Sequence, residues 1–107
     1  MVALVGEHDV YSSHRLESEL VVLIEEGRRI VVDLRDAVFV DSTTLSALLS
    51  GRDAADRHGL GLVLVLSADS YTPVHQILDI TGLRSEFTIV DDVDDALRSF
   101  RNQPRVA

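Results

Sequence analysis

Asp41-Ser42-Thr43-Thr44 is the segment whose residue types and order offer chemistry. The apolar run Val38-Phe39-Val40 stops at an acid, three hydroxyl residues follow, and a helical pattern begins at Leu45. Hydroxyls gathered at a helix N-terminus are candidates for phosphorylation, because a change of charge there is felt strongly. The plainer reading is local: Asp41 or Ser42 caps the helix, and the threonines occupy its first turn.

Other constellations are weaker. His8, His14, His58 and His75 sit in four separate segments, and no pair has the spacing of a metal-binding helix. His58 reads as a helix C-terminal residue. Asp91, Asp92, Asp94 and Asp95 form an acidic group without the glycine and distal glutamate of a calcium loop, so they read as a helix start. Gly59-x-Gly61 precedes a strand instead of joining strand to helix, which is the wrong place to cradle a phosphate. There is no serine-hydrolase elbow and no P-loop. Asp33 stands near a strand end, where an aspartyl phospho-acceptor would stand. The chain has no lysine to serve an acyl phosphate, so Asp33 reads as a polar residue where a buried strand emerges. The absence of cysteine excludes disulfides, thiolate catalysis and Cys-ligated metals. The expectation is a binding protein, not an enzyme, with no cofactor and no metal.

Several elements must position the hydroxyl segment. Residues 2–5 read as a short strand ending at Gly6. Asp9, Ser12 or Ser13 caps a helix whose face is Leu16, Leu20, Leu23 and Ile24, closed by Gly27. Ile30 to Leu34 is a buried strand, and the turn 35–37 leads into Val38-Phe39-Val40. The next helix carries Leu45, Leu48, Leu49 and Ala55 and stops at Gly59. Leu60 to Leu66 is the strongest strand and belongs at the sheet centre. Ser70-Tyr71-Thr72-Pro73 starts a third helix with Val74, Ile77 and Leu78 inward and Gly82 at its end. Phe87 to Val90 is a last strand. Asp91 or Asp92 then caps a helix burying Val93, Ala96, Leu97 and Phe100. Strand and helix alternate four times, which predicts an α/β domain with a mostly parallel sheet of about four strands and about four helices. Residues 1–101 form the domain and 102–107 a flexible tail.

The chain has 107 residues and 46% apolar content, enough for one domain with a single core. The net charge of −8 argues against nucleic acid and anionic membranes as partners, and favours a basic or mixed-charge protein. No signal peptide or membrane-spanning run is visible, so a cytoplasmic location is expected.

At this point the chain resembles the STAS domain family, specifically its small anti-sigma-factor antagonists. Gly6-Glu7-His8-Asp9 looks like the family's G-E-L-D element. Val31-Val32-Asp33-Leu34 with Val38, Phe39 and Asp41-Ser42-Thr43 looks like its V-[VL]-D-L…[FV]-x-D-S-[ST] core. Ile80-Thr81-Gly82-Leu83 and Asp95-Ala96-Leu97 match its late signatures. The resemblance implies that Ser42, ahead of Thr43, is phosphorylated by a serine kinase that doubles as an anti-sigma factor. The unmodified form would bind that kinase and the phosphorylated form would release it. The implied partner surface takes in Asp9, Asp41, Ser42, Thr43 and Thr44, on a monomer or weak dimer. Two departures stand out. Thr44 occupies the place of a usual glycine, which raises a second reading as an unswitched STAS interaction module, such as a scaffold or transport-complex subunit. The N-terminal edge strand is shortened or missing. A third reading, small-molecule or nucleotide binding, rests on the α/β architecture alone.

Overall fold

The computed structural model describes residues 2–3, 6–8 and 10–101. Its elements are β1 (Val2–Ala3), β2 (Gly6–His8), α1 (Val10–Glu25), β3 (Ile30–Asp33), β4 (Ala37–Val40) and α2 (Ser42–Arg57). They continue with β5 (Leu62–Val65), α3 (Pro73–Thr81), a 3₁₀ turn (Leu83–Glu86), β6 (Thr88–Val90) and α4 (Val93–Arg101). The expected α/β domain with four helices is what is found. The main sheet is parallel throughout, in the order β1-β3-β5-β6. The central place expected for the 60–66 segment holds, since β5 lies between β3 and β6.

The continuous apolar runs of β3 and β5 follow from burial on both faces. Alternate side chains of a strand point to opposite faces. Ile30, Val32, Leu62 and Leu64 join the larger core, with Leu16 and Leu20 of α1, Leu45 and Leu48 of α2, and Val74 and Leu78 of α3. Val31, Val63 and Val65 face the other way, into a smaller core with Ala96 and Phe100 of α4. Arg29 closes that core's rim. Its guanidinium carbon sits 5.6 Å from the Phe100 ring centre, and it donates to the Phe100 carbonyl at 3.2 Å.

Of the strand expected over residues 2–5, Val2 and Ala3 form β1 and pair with Val32 and Asp33 at the sheet edge, and residues 4–5 lie outside the described residues. Three sequence expectations need correction. Gly6–His8 is a second strand, paired in parallel with β4 in a separate two-stranded sheet. Three residues hold too little periodicity to announce a strand, so the partner backbone decides it. The helix then starts at Val10, which puts Ser12 and Ser13 inside it and leaves Asp9 outside the described residues. The third correction is Leu97, which is 47% exposed although its spacing placed it on the buried face. Among the described residues α4 alone contributes a helix to the smaller core, so the flank of its apolar stripe has no neighbour to cover it.

The caps match the sequence reading more closely. Thr72 caps α3 in a capping box with His75, and Pro73 is its first residue. Gly82 ends that helix with φ +72°, a conformation that costs glycine least. Of the two candidates at α4, Asp92 is the cap: its Oδ1 accepts from the Asp95 amide at 2.8 Å. Asp91 instead accepts from the Ala68 amide at 2.7 Å. His58 caps the C-terminus of α2, with Nδ1 2.9 Å from the Ala54 carbonyl oxygen. The tail 102–107 lies outside the described residues.

Candidate functional site

The junction of β4 and α2 holds the hydroxyl segment. Asp41 is the N-cap of α2, with extended backbone (φ −94°, ψ 179°), and its carbonyl accepts the first helical bond from Leu45 at 3.1 Å. This resolves the choice between Asp41 and Ser42. One carboxylate oxygen of Asp41, Oδ1, gathers three donors: the Thr43 hydroxyl at 2.6 Å, the Thr44 amide at 3.0 Å and the Thr44 hydroxyl at 3.1 Å. The hydrogen bond from the Thr43 hydroxyl is the leading reason why the Asp41 carboxyl titrates below the usual aspartate range; partial burial opposes it, and the Thr44 donors reinforce it.

The three hydroxyls therefore differ. Thr44 is fully buried, and both its donors are spent on Asp41. Thr43 is exposed, but its proton is committed to the same oxygen. Ser42 is exposed at the first position of α2, and its hydroxyl has no hydrogen-bond partner among the described residues. Asp41, Ser42, Thr43 and Thr44 are thus brought together at one helix start. Asp9, the remaining residue of the expected surface, lies outside the described residues.

The apolar approach to this site was not visible in the sequence. Ala37 and Val40 of β4 are buried, whereas Val38 and Phe39 are 58% and 45% exposed. An apolar tetrapeptide looks like core. Here β4 pairs with β2 and not with the main sheet; its ends, Ala37 and Val40, reach the larger core, while its middle pair stays at the surface. The register between β2 and β4 shifts between Gly6 and Glu7, a further departure from a regular ladder.

Asp33 ends β3, where the sequence reading placed a polar residue at the end of a buried strand. It is buried, and Arg35 takes both its oxygens: Nε to Oδ1 at 3.0 Å, Nη2 to Oδ2 at 2.7 Å, with the Arg35 amide also on Oδ1 at 3.0 Å. The Arg35 hydrogen bonds hold its carboxyl below the usual range, against the opposing effect of burial. No group of His, Asp and Glu suited to a metal ion occurs among the described residues. No helix among them is long and apolar enough to cross a membrane.

An acid limb follows from these two carboxyls. Both have folded-state pKa values depressed below the ordinary 3.8. Their contribution to stability is present above the unfolded pKa and is lost as pH falls through the folded one. Stability should therefore decline as pH drops below about 4. Asp41→Ala is expected to cost about 1 kcal/mol near neutrality, the typical value of an N-cap, and to flatten that decline. Urea titrations at several pH values measure both. An unchanged midpoint and an unchanged acid slope would remove the capping role.

Comparison with known proteins agrees with this construction. The model of the STAS domain matches residues 1–96. The anti-sigma-B factor antagonist of Bacillus subtilis (strain 168) is 32% identical over 83 residues, which span 78% of this chain and 73% of that protein. The crystal structure of an anti-sigma factor antagonist from Mycobacterium paratuberculosis superposes with a TM-score of 0.78 at 23% identity, over 94% of this chain and 83% of that one. The anti-sigma factor antagonist SpoIIAA in its unphosphorylated form gives 0.67 at 16% identity, over 94% and 87% of the two chains. With a parallel sheet, four helices and a capped Asp-Ser-Thr junction already in place, the match over residues 1–96 completes the assignment: the chain belongs to the STAS domain family.

Proposed function

We propose that this chain is a non-enzymatic anti-sigma-factor antagonist. It binds an anti-sigma factor that is also a serine kinase, and phosphorylation of Ser42 ends the contact. The observation that carries this reading is the Ser42 hydroxyl, exposed and without a hydrogen-bond partner among the described residues, at the start of a helix that follows the exposed pair Val38 and Phe39. The names of the relatives support the antagonist role. The net charge of −8 suits a basic or mixed-charge protein surface.

The proposed partner surface comprises Asp9, Asp41, Ser42 and Thr43, with Thr44 contributing through its hold on Asp41. That inward placement leaves the approach to Ser42 open, which favours the switched reading over an unswitched interaction module. The proposal includes a cytoplasmic monomer or weak dimer.

The test is to incubate the protein with ATP and an anti-sigma-factor serine kinase from the same genome, then map phosphate by mass spectrometry. Label on Ser42, absent from Ser42→Ala, is expected. No label on Ser42, or undiminished labelling of Ser42→Ala, overturns the assignment.

Phe39→Ala is expected to weaken kinase binding by on the order of tenfold or more, as truncation of an interface aromatic does. Because the ring is 45% exposed, the fold should lose much less than after a core truncation. Calorimetric titration beside a thermal melt separates the two effects, and full affinity in the variant would place the interface elsewhere.

A further inference from the structure

A cavity of about 740 Å³ opens beyond the carboxyl ends of β5 and β6. Open α/β sheets commonly bind ligands at that end of their strands, in cavities of this size range. Leu66 and Phe87 are buried and Ile89 half-buried in its lining, which provides an apolar floor. Tyr71, Asp69 and Asp91 stand around it.

The Tyr71 ring is 67% exposed yet held in place. Its hydroxyl donates to Asp79 Oδ2 at 2.6 Å, and its ring lies 5.6 Å from that of His75. An exposed aromatic tethered at both ends is a preformed platform. The charges beside it are unbalanced. Among the described residues Asp69 and Asp91 form no ion pair; the Asp69 carboxylate has no hydrogen bond there, and one oxygen of Asp91 takes the Ala68 amide. The cation in the lining, Arg84, is neutralised by its ion pair with Asp79. His75 is buried, with Nδ1 engaged by the Thr72 amide and hydroxyl. What remains is an apolar floor, an aromatic face and two carboxylates without a counter-charge among the described residues.

We propose that this cavity binds a small amphiphilic cation, an amine with an aromatic or aliphatic body. The body lies on the floor formed by Leu66, Phe87 and Ile89. The ammonium group meets the Tyr71 ring and the carboxylates of Asp69 and Asp91. This site is independent of the phosphorylation reading, since it shares no residue with the Asp41–Thr44 junction.

Phenethylamine, phenylacetate and 2-phenylethanol are near-matched in shape and differ in charge, so they serve as probes. Each is titrated into the ¹⁵N-labelled full chain while amide shifts are followed. Phenethylamine is expected to saturate, with the largest shifts at Ala68, Asp69, Tyr71 and Asp91. Phenylacetate should not bind, and 2-phenylethanol should bind more weakly than the amine. Asp69→Asn combined with Asp91→Asn should weaken the amine by on the order of tenfold and leave the alcohol unchanged. Tyr71→Ala should weaken both. Unfolding midpoints of the variants check that the fold is kept. Single variants, Asp69→Asn alone among them, keep the test decisive if the double variant unfolds. Equal binding of amine and carboxylate, shifts elsewhere on the surface, or amine binding indifferent to the aspartates overturns the proposal.

Discussion

Phosphorylated at Ser42, the protein is expected to bind its anti-sigma factor on the order of a hundredfold more weakly than the unmodified form, with little change in its unfolding midpoint. Both halves of that expectation come from one geometry. The phosphate adds about −1.5 to −2 charges at the first position of a helix, where the partial positive charge of the N-terminus accepts them. The Ser42 hydroxyl gives up no hydrogen bond to any of the described residues on modification. Asp41 keeps its three donors, because none of them comes from Ser42. Inside a packed interface the same charge must shed water, at several kcal/mol unless it is paired, and about 3 kcal/mol already corresponds to a factor of a hundred. Calorimetric titration of the kinase with the two purified forms measures the effect. Equal affinities would end the switch hypothesis even if Ser42 is labelled. Ser42→Asp should give a smaller loss, since it carries one charge and lacks the phosphate's three oxygens.

Leu48→Ala should destabilise the fold by about 2–5 kcal/mol, the range for a leucine emptied from a packed core. Leu48 is fully buried, on the inner face of α2 within the larger core. A domain of this size has only about 5–15 kcal/mol to lose, so the variant should unfold at markedly lower denaturant and temperature. Any loss of partner binding should track the unfolded fraction, with the affinity of the folded molecules unchanged. Leu97→Ala, at a half-exposed position of α4, is the matched control and should cost far less. Urea unfolding of the two variants against the parent checks this. A Leu48→Ala midpoint no lower than that of Leu97→Ala would contradict the core described above.

Much of this architecture was legible because its signals are long and regular. The buried runs of β3 and β5 read as central strands because both of their faces are covered, and the leucine spacing of α1 and α2 marked their inner faces. Caps were legible where a side chain alone decides them, as at Thr72-Pro73 and Gly82. Where two aspartates competed, the sequence left the choice open, and only the position of the Ala68 amide distinguishes Asp91 from Asp92. β2 escaped because its identity comes from β4 and not from its own three residues.

At the functional junction the residue types were legible and their division of labour was not. Thr44 looked like an obstacle in place of glycine, although its position three residues after Asp41 is where a side chain can reach back to the cap. Its burial makes it a second anchor for the Asp41 carboxylate. Val38 and Phe39 were misleading for the opposite reason. Their composition says core, yet β4 pairs with β2 outside the main sheet and buries only its ends, Ala37 and Val40.

The unequal division of the interior sets the order in which the molecule can come apart. α2 is locked into the larger core with α1 and α3, whereas α4 covers the smaller one by itself among the described residues. Openings that release α4 and the adjoining edge β6 cost fewer buried contacts than any that release α2. Backbone amides of α4 should thus exchange with deuterium through partial openings, while those in the body of α2 wait for complete unfolding. The start of α2 would then keep its shape through fluctuations that loosen the opposite face, so an enzyme approaching Ser42 meets the same local geometry for nearly the whole lifetime of the folded protein.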